Sequence, residues 1–202
     1  AISPAWLQSV QDVFNQGVVV TASSGDTGTP RAPASMYEGL GVGAIDATDT
    51  KTAFSGSDSN VDLVAAGDQI KSTNLTGCGS SQGTSFSAPF VAGAVGLVVS
   101  NFVDRGLCYT VDDVYAALFT TAIPLPVGNP DFVYYGFGML NGDPTDPGNP
   151  STGFLSVDPS CKTSVGAWFG NNSQSVVACY DDTVQVESGS SVLGNVYPDS
   201  NC

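Results

Sequence analysis

Residues 83–93 of this chain read GTSFSAPFVAG, and the stretch decides much of the fold. A glycine and two hydroxyl residues followed by small apolar residues predict a loop that turns into a helix. From Ser87 to Val103 the pattern is almost uncharged and apolar on every side, which predicts a long helix that is buried all round. Ser85 would lie at the helix start, where backbone N–H groups lack intrahelical partners and the helix dipole is positive. Pro89 is expected in the first turn, where its missing N–H has no cost.

Short apolar runs predict the strands that accompany this helix. They occupy residues 18–22, 40–45 and 61–66, and Gly, Asp or Ser residues bound them. The first run has no polar alternation, as expected for a strand buried on both faces of a parallel sheet. The fold class is therefore α/β, with a mostly parallel sheet flanked by helices.

Two further helices are predicted from periodicity and end signals. Apolar residues recur at helical spacing over 4–16, and Gly17 follows where a helix-ending glycine is favoured. A second helix is predicted from Thr110 to Ala117, because Thr110 and Asp113 have the spacing of a capping box. These two helices complete the predicted main domain.

A stretch of turn-forming residues divides the chain. Residues 144–150 are rich in Pro, Gly and Asp, which disfavours helix and central strand alike. We therefore predict a main domain over 1–143, a linker over 144–150 and a small β-rich extension over 151–202. That extension holds three of the five cysteines, so we expect disulfide bonds to stabilise it.

Composition excludes some partners. The net charge is −14, from 19 acidic and 5 basic residues, which disfavours nucleic acid and anionic membrane surfaces as partners. No apolar run approaches the ~20 residues of a membrane span. The excess charge is interpreted as solubility in an extracellular medium, and carboxylate-rich calcium loops are the alternative.

Several features favour a secreted, processed chain. The five cysteines are an odd number, which in an oxidising compartment leaves one free thiol or one bridge to another chain. Asn74 and Asn171 each begin an N-glycosylation sequon. The sequence starts at Ala1 with no initiator Met and no signal peptide, which we interpret as the result of processing. The cysteines are Cys78, Cys108, Cys161, Cys179 and Cys202.

The stretch 83–93 resembles the serine motif of the subtilase family, G-T-S-x-[SA]-x-P-x-x-[SA]-G, at every fixed position. Other segments resemble this family in the same order along the chain, and the resemblance covers 4–143, about the second half of a subtilase catalytic domain. The extension 151–202 lies outside it. The resembling segments are 18–28 (strand and oxyanion-hole loop), 54–55 and 61–67 (the stretch before the nucleophile) and 134–141 (the closing segment).

This resemblance implies a serine endopeptidase that hydrolyses peptide bonds through an acyl-enzyme. It implies Ser85 as the nucleophile, with the Ser85 N–H and the Asp26 side chain forming the oxyanion hole. No cofactor is required, and zinc is disfavoured because the chain has no histidine and no C-x-x-C pair. The substrate-binding residues that it implies are Ser23, Ser24, Gly25, Gly83 and Thr84.

Two departures from the family pattern affect activity. The catalytic Asp and His of subtilases lie in the N-terminal half, so we expect a bound N-terminal fragment of the same protease, separated by a nick near Ala1, to supply them. Asp26 stands where most subtilases have Asn. An ionised carboxylate cannot donate a hydrogen bond, so Asp26 is either an oxyanion donor that works when protonated or the mark of a degraded site that only stabilises a turn.

Two other functions remain open. Sedolisins place an Asp in the oxyanion hole and work in acid with Ser, Glu and Asp, but the short interval from Asp26 to Ser85 is typical of subtilases. The second alternative function is that of a catalytically dead subtilase scaffold in an extracellular assembly. Subtilases often bind calcium, and the loops 46–49 and 143–149 carry oxygen ligands, although solvated turns explain them equally.

Overall fold

A computed structural model describes residues 3–74, 77–128 and 130–142. Beyond these, it describes the backbone of four strands, β6 (Cys161–Val165), β7 (Ser175–Cys179), β8 (Val184–Ser188) and β9 (Ser191–Val196). β6 pairs antiparallel with β7, and β8 pairs antiparallel with β9. The predicted domain boundaries and the disulfide bonds within 151–202 fall largely outside the described residues and stay predictions.

A three-stranded parallel sheet is the centre of the fold. Its strands are β1 (Val20–Ser23), β2 (Gly39–Ile45) and β3 (Leu63–Ala66), in the spatial order β1-β2-β3. Every residue of β2 is buried, as the continuous apolar run predicts. Residues 137–140 cover the outer edge of β3, where the Val64 N–H donates to Gly138 O and the Leu140 N–H donates to Val64 O, each at 2.9 Å. The predicted α/β class with a parallel sheet is confirmed.

The described residues form four helices, namely α1 (Pro4–Asn15), α2 (Thr84–Asp104), α3 (Val111–Thr121) and the short α4 (Phe132–Tyr135). The Ser3 hydroxyl caps α1 by accepting from the Trp6 N–H, and Gly17 follows the helix end with φ +82°. Thr110 caps α3 in the predicted capping box with Asp113. Both predicted helix starts are therefore confirmed.

The main core lies between the sheet and the helices α2 and α3. α2 packs against all three strands and against α3, and Leu40, Leu63, Val91 and Leu118 are completely buried there. A second cluster on the other face of the sheet is smaller. It consists of Ile45, Val61, Val64, Leu125 and Tyr135.

One side of α2 is open, which corrects the prediction of a helix buried all round. Phe90 is 49% exposed, Leu97 52% and Val103 60%, although Val91 and Val98 on the opposite side are buried. The helix has 21 residues and is long and apolar enough to cross a membrane by length and composition, so the expectation that no stretch approaches that length is also corrected. Core helices of soluble proteins share this property, but only 28% of the apolar window of α2 is buried within the described residues. We call Phe90, Leu97 and Val103 the open face of α2.

β1 is also only partly buried. Val18 is 51% exposed and, of the four residues of β1, Ala22 alone is buried. The prediction that this run is buried on both faces is wrong for the chain as it stands. The reason is that β1 is an edge strand, paired with β2 and with no other described strand.

Pro89 lies deeper in the helix than the sequence predicts. α2 begins at Thr84, so Pro89 is its sixth residue and belongs to the second turn. At that position the missing N–H removes one intrahelical hydrogen bond, to the carbonyl of Ser85. The prediction of a cost-free proline in the first turn is therefore wrong.

An antiparallel hairpin leads into α2 and was not predicted. Its strands are β4 (Ile70–Asn74) and β5 (Gly77–Ser81), and the described residues of β5 are mostly exposed. Their polar and glycine-rich sequence has no alternation of apolar and polar residues that would indicate a strand. Cys78 on β5 is an exposed free thiol, and Cys108 after α2 is disulfide-bonded.

Candidate active site

Ser85 is the second residue of α2 and is exposed at the carboxyl-terminal end of the sheet. The helix starts there because Gly83 adopts φ +144°, a conformation that side chains disfavour. The Gly83 N–H donates to Gly67 O at 2.9 Å, which ties the helix start to the end of β3. The N–H of Ser85 is among the first four of the helix and has no intrahelical acceptor.

Thr84 connects the helix start to the loop after β1. Its backbone N–H donates to Asp26 Oδ1 at 2.8 Å, and its hydroxyl donates to the same oxygen at 2.9 Å. The hydroxyl also accepts the Gly25 N–H at 3.1 Å. Thr84 is fully buried, so water does not compete for these bonds. The structure thus brings together Gly25, Asp26 and Thr84 beside Ser85.

Gly83 leaves room for the second oxygen of Asp26. A Cβ built on Gly83 would lie 3.0 Å from Asp26 Oδ2, so a side chain there would press on the carboxyl. Oδ1 is engaged by Thr84, whereas no hydrogen bond to Oδ2 is found among the described residues. The two oxygens of Asp26 therefore have different surroundings.

Gly56 holds residues 24–25 of the loop after β1 through its backbone. The Gly56 N–H donates to Gly25 O at 2.8 Å, and the Ser24 hydroxyl donates to Gly56 O at 3.2 Å. A Cβ on Gly56 would lie 2.6 Å from Ser24 O, so only glycine allows this approach. Gly56 directly follows the segment 54–55 that resembles the family, but its role as a contact to this loop was not predicted.

The predicted substrate-binding residues divide into two groups. Ser23 and Gly25 are half-buried, and their role stays a prediction. Ser24 is only 2% exposed and its hydroxyl bonds inside the protein, so its side chain supports the loop and does not face a substrate. The substrate-binding role predicted for Ser24, like the roles of Gly83 and Thr84, stays a prediction.

Comparisons with known proteins identify the family of this chain. The model of the subtilase family of peptidases matches residues 2–153, three quarters of the chain. The chain belongs to the subtilase family. Subtilisin E from Bacillus subtilis (strain 168) is 35% identical over 139 residues, which are 65% of this chain and 34% of subtilisin E. Thermitase from Thermoactinomyces vulgaris is 40% identical over 96 residues, which are 46% of this chain and 34% of thermitase.

A solved structure shows the same fold. The structure of the prenylagaramide maturation protease PagA aligns with a TM-score of 0.61 at 28% identity, over 69% of this chain and 53% of that one. Subtilisin DY from Bacillus licheniformis is 30% identical over 69% of this chain and 50% of its own length. The chain thus spans a third to a half of these relatives, which agrees with its resemblance to one half of a subtilase catalytic domain.

The described part of this subtilase chain shows no proton acceptor for the Ser85 hydroxyl. It has no histidine, and no other ionisable side chain is found hydrogen-bonded to Ser85 among the described residues. A serine hydroxyl without an adjacent base is a weak nucleophile. The described residues therefore hold the helix dipole, the free N–H and the nucleophile of a subtilase site, but no base.

No metal site accompanies this subtilase site in the described part of the chain. No group of three His, Cys, Asp or Glu side chains is found there with a spacing that could hold an ion. In the loop 46–49, Asp46 Oδ1 already accepts from the Thr48 N–H, the Thr48 hydroxyl and the Thr50 N–H. These bonds lower the pKa of Asp46 by stabilising its charged form. Here the carboxylate stabilises its own turn.

Proposed function

We propose that this chain is the nucleophile-bearing half of a serine endopeptidase that hydrolyses peptide or protein substrates through an acyl-enzyme. An N-terminal chain of the same protease would supply the catalytic Asp and His. The observation that carries the proposal is the placement of Ser85, exposed at the start of α2 and beside the buried Thr84–Asp26 hydrogen bonds. Subtilases are serine endopeptidases, and the family membership supports this reaction class.

The proposed chemistry divides between the two halves. The Ser85 hydroxyl oxygen would form a bond to the scissile carbonyl carbon, and its proton would pass to the imidazole of the N-terminal half. The carbonyl oxygen would take up the electron pair of the π bond and accept a hydrogen bond from the Ser85 N–H. The imidazolium would then protonate the leaving amine, and water would hydrolyse the acyl-enzyme.

The need for a second half has physical support within this chain. The open face of α2 and the unpaired edge of β1 are surfaces that a soluble domain buries. A further strand could pair with the edge of β1, and further residues could cover the open face of α2. The N-terminal half is therefore the partner that we propose for both surfaces.

An extracellular location is part of the proposal. The disulfide bond of Cys108 supports an oxidising compartment, where such bonds persist. Residues 71–73 of β4 are exposed, and Asn74, which follows them, begins one of the two sequons. Subtilisin-type relatives support the same location.

Active-site labelling tests the proposal. A fluorophosphonate probe should label Ser85 in the protein assembled with its N-terminal half, and Ser85→Ala should abolish the labelling. Ser87→Ala is the matched control, because this buried serine two residues further along α2 should not react. Absence of labelling at every pH from 4 to 8 would leave the dead scaffold as the better interpretation.

The sequence of the co-purifying partner separates the remaining alternatives. Asp and His in the partner support the subtilase mechanism, whereas Glu and Asp support a sedolisin-like one. A chain that folds, stays monomeric and labels without any partner would contradict the two-chain proposal.

A further inference from the structure

We propose that a disulfide bond from Cys108 ties the C-terminal extension to α3, and that the tied extension stabilises the main domain without covering Ser85. This goes beyond the proposed function, because it concerns residues 151–202 and the family match ends at residue 153. Two observations carry it, namely the bonded state of Cys108 and the packing of β6 against α3. We call the bond the Cys108 link.

The cysteines of the chain identify the segment to which Cys108 is bonded. Cys108 is disulfide-bonded, whereas Cys78, the only other cysteine before residue 151, is a free thiol. The other three cysteines, Cys161, Cys179 and Cys202, all belong to the extension. A bond from Cys108 within this chain therefore ends in the extension. It closes a long loop that contains the whole linker 144–150, and closing a long loop restricts the unfolded chain.

The packing of α3 agrees with the Cys108 link. α3 begins at Val111, three residues after Cys108, and β6 begins at Cys161. α3 packs against both α2 and β6. Ala116 of α3 is buried although it belongs to neither hydrophobic cluster, as expected if residues outside the main core cover it. The contact and the bond thus join the same two parts of the chain.

The Cys108 link lies far from the nucleophile. Ser85 is the second residue of α2, whereas Cys108 follows the other end of this helix at Asp104. At a rise of about 1.5 Å per residue, the two ends of α2 are roughly 30 Å apart. The extension is therefore anchored at the end of α2 opposite to the one where a substrate would meet Ser85.

The Cys108 link forms by oxidation of two thiols. A disulfide donor of the oxidising compartment would accept the two electrons and two protons and would be reduced to two thiols. With five cysteines in the chain, the link leaves two others in the extension to pair with each other. Cys78 is then the unpaired fifth thiol, in agreement with its free state.

Mild acid hydrolysis tests the Cys108 link on the full chain, because aspartyl–prolyl bonds hydrolyse in dilute acid before other peptide bonds. Acid also suppresses disulfide exchange, which needs a thiolate. After cleavage, mass spectrometry without reductant should find fragment 159–202 bound to fragment 1–143, and a reductant should separate the two. All aspartyl–prolyl bonds of the chain lie between Cys108 and Cys161, namely Asp143–Pro144, Asp146–Pro147 and Asp158–Pro159.

Cys108→Ser and Cys78→Ser are the matched variants for this test. Cys108→Ser should release fragment 159–202 without reductant, whereas Cys78→Ser should behave as the wild type. Release of this fragment from the unreduced wild type, or a bond from Cys108 to Cys78 or to another chain, would overturn the proposal. The result for the wild type decides this even if Cys108→Ser does not fold.

Amide hydrogen exchange and active-site labelling test the role of the tied extension in the assembled protein. Cys108→Ser should raise the exchange rates of the α3 amides by about tenfold or more, with a smaller change in β2. The fluorophosphonate should label Ser85 at the same rate in Cys108→Ser and in the wild type. Faster labelling would show that the extension covers the site, and unchanged exchange in α3 would show that it does not stabilise this helix.

Either of these two results would overturn the role that we assign to the extension. The outcomes also separate the Cys108 link from the proposed function. If no protein labels at any pH while fragments 1–143 and 159–202 stay bound until reduction, the proposed function fails and the link stands. If Ser85 labels while the fragments separate without reductant, the link fails and the protease stands.

Discussion

Asp62 is a side chain whose ionisation opposes folding. Its Oδ2 accepts the Gly41 N–H at 2.7 Å inside the protein. Burial raises its pKa to about 7, because removal from water disfavours the charged form, and the Gly41 hydrogen bond offsets part of that rise. The folded protein therefore holds this proton over a pH range in which the unfolded chain releases it.

Asp62→Asn should remove this pH dependence. The pKa of Asp62 is higher in the folded protein than in the unfolded chain. The stabilisation that protonated Asp62 provides is therefore complete below about pH 4 and is lost as the pH rises through 7. The asparagine keeps an acceptor for Gly41, so at pH 8 the variant should be more stable by a few kcal/mol, at most about 4. Urea denaturation at pH 4, 6 and 8 measures this.

Asp46→Asn provides a control of opposite sign for Asp62→Asn. The pKa of Asp46 is lowered by hydrogen bonds, so its contribution is present above pH 4 and lost as the pH falls. If the free energy of unfolding changed equally with pH in both variants, the pH dependence could not be assigned to Asp62.

Single residues of the site were predictable only where a motif encodes them. Ser85 and Asp26 follow from their position in matching segments. The bonds from Thr84 to Asp26 join residues 58 apart, and the inward turn of Ser24 depends on Gly56, 32 residues away. Such contacts depend on tertiary packing, which periodicity and local turn chemistry do not report.

The elements of the fold followed the sequence where burial or capping leaves a pattern. β2 and β3 are continuous apolar runs, and α3 begins at a capping box. The hairpin β4–β5 leaves no such pattern, because its strands are polar and largely solvent-exposed. The sequence therefore predicted the buried strands and the capped helices, and it missed the exposed hairpin and the short helix α4.

The capping box of α3 should have a measurable effect on stability. Thr110→Ala removes the hydroxyl that accepts the Asp113 N–H and should cost about 1 kcal/mol in the free energy of unfolding. α3 packs Val114 and Leu118 into the main core, so its loosening affects the whole domain.

Thr120→Ala is the matched control for Thr110→Ala, since this exposed threonine lies within α3 and its hydroxyl bonds only to Ala116 O. Its effect should stay within about 0.5 kcal/mol. If urea denaturation showed equal losses of unfolding free energy in the two variants, the cap would contribute no more than an exposed threonine within the helix.

At the scale of the whole molecule, the open face of α2 should act as an interface. Leu97→Glu places a charge within the open face of α2. The variant should bind the N-terminal half at least about 100-fold more weakly, because burying an unpaired charge in the interface is costly. The stability of this chain by itself should change little. Calorimetric titration and pull-down measure the binding.

Val127→Glu is the control for Leu97→Glu. It introduces the same charge at an apolar residue that is 80% exposed on a loop. Binding of the N-terminal half should persist in this variant. Loss of binding in both variants would indicate a general effect of charge and not a defined interface.

The incompleteness of α2 and β1 fits the sequence-based expectation of a bound N-terminal fragment, because half of a catalytic domain cannot cover this helix or complete this sheet alone. An apolar helix predicts burial, but the pattern does not state whether the covering residues belong to the same chain. Which residues of α2 are exposed in this chain was therefore not predictable.

In the two-chain assembly proposed above, the open face of α2 also bears on the order of folding and cleavage. Two halves joined in one polypeptide meet at an effective concentration that can reach the millimolar range. Separately made halves would meet at their cellular concentrations, and the bare face would encounter other copies first. Peptide-bond cleavage after docking leaves the packed surfaces in place, so a route of folding first and cutting afterwards avoids this competition.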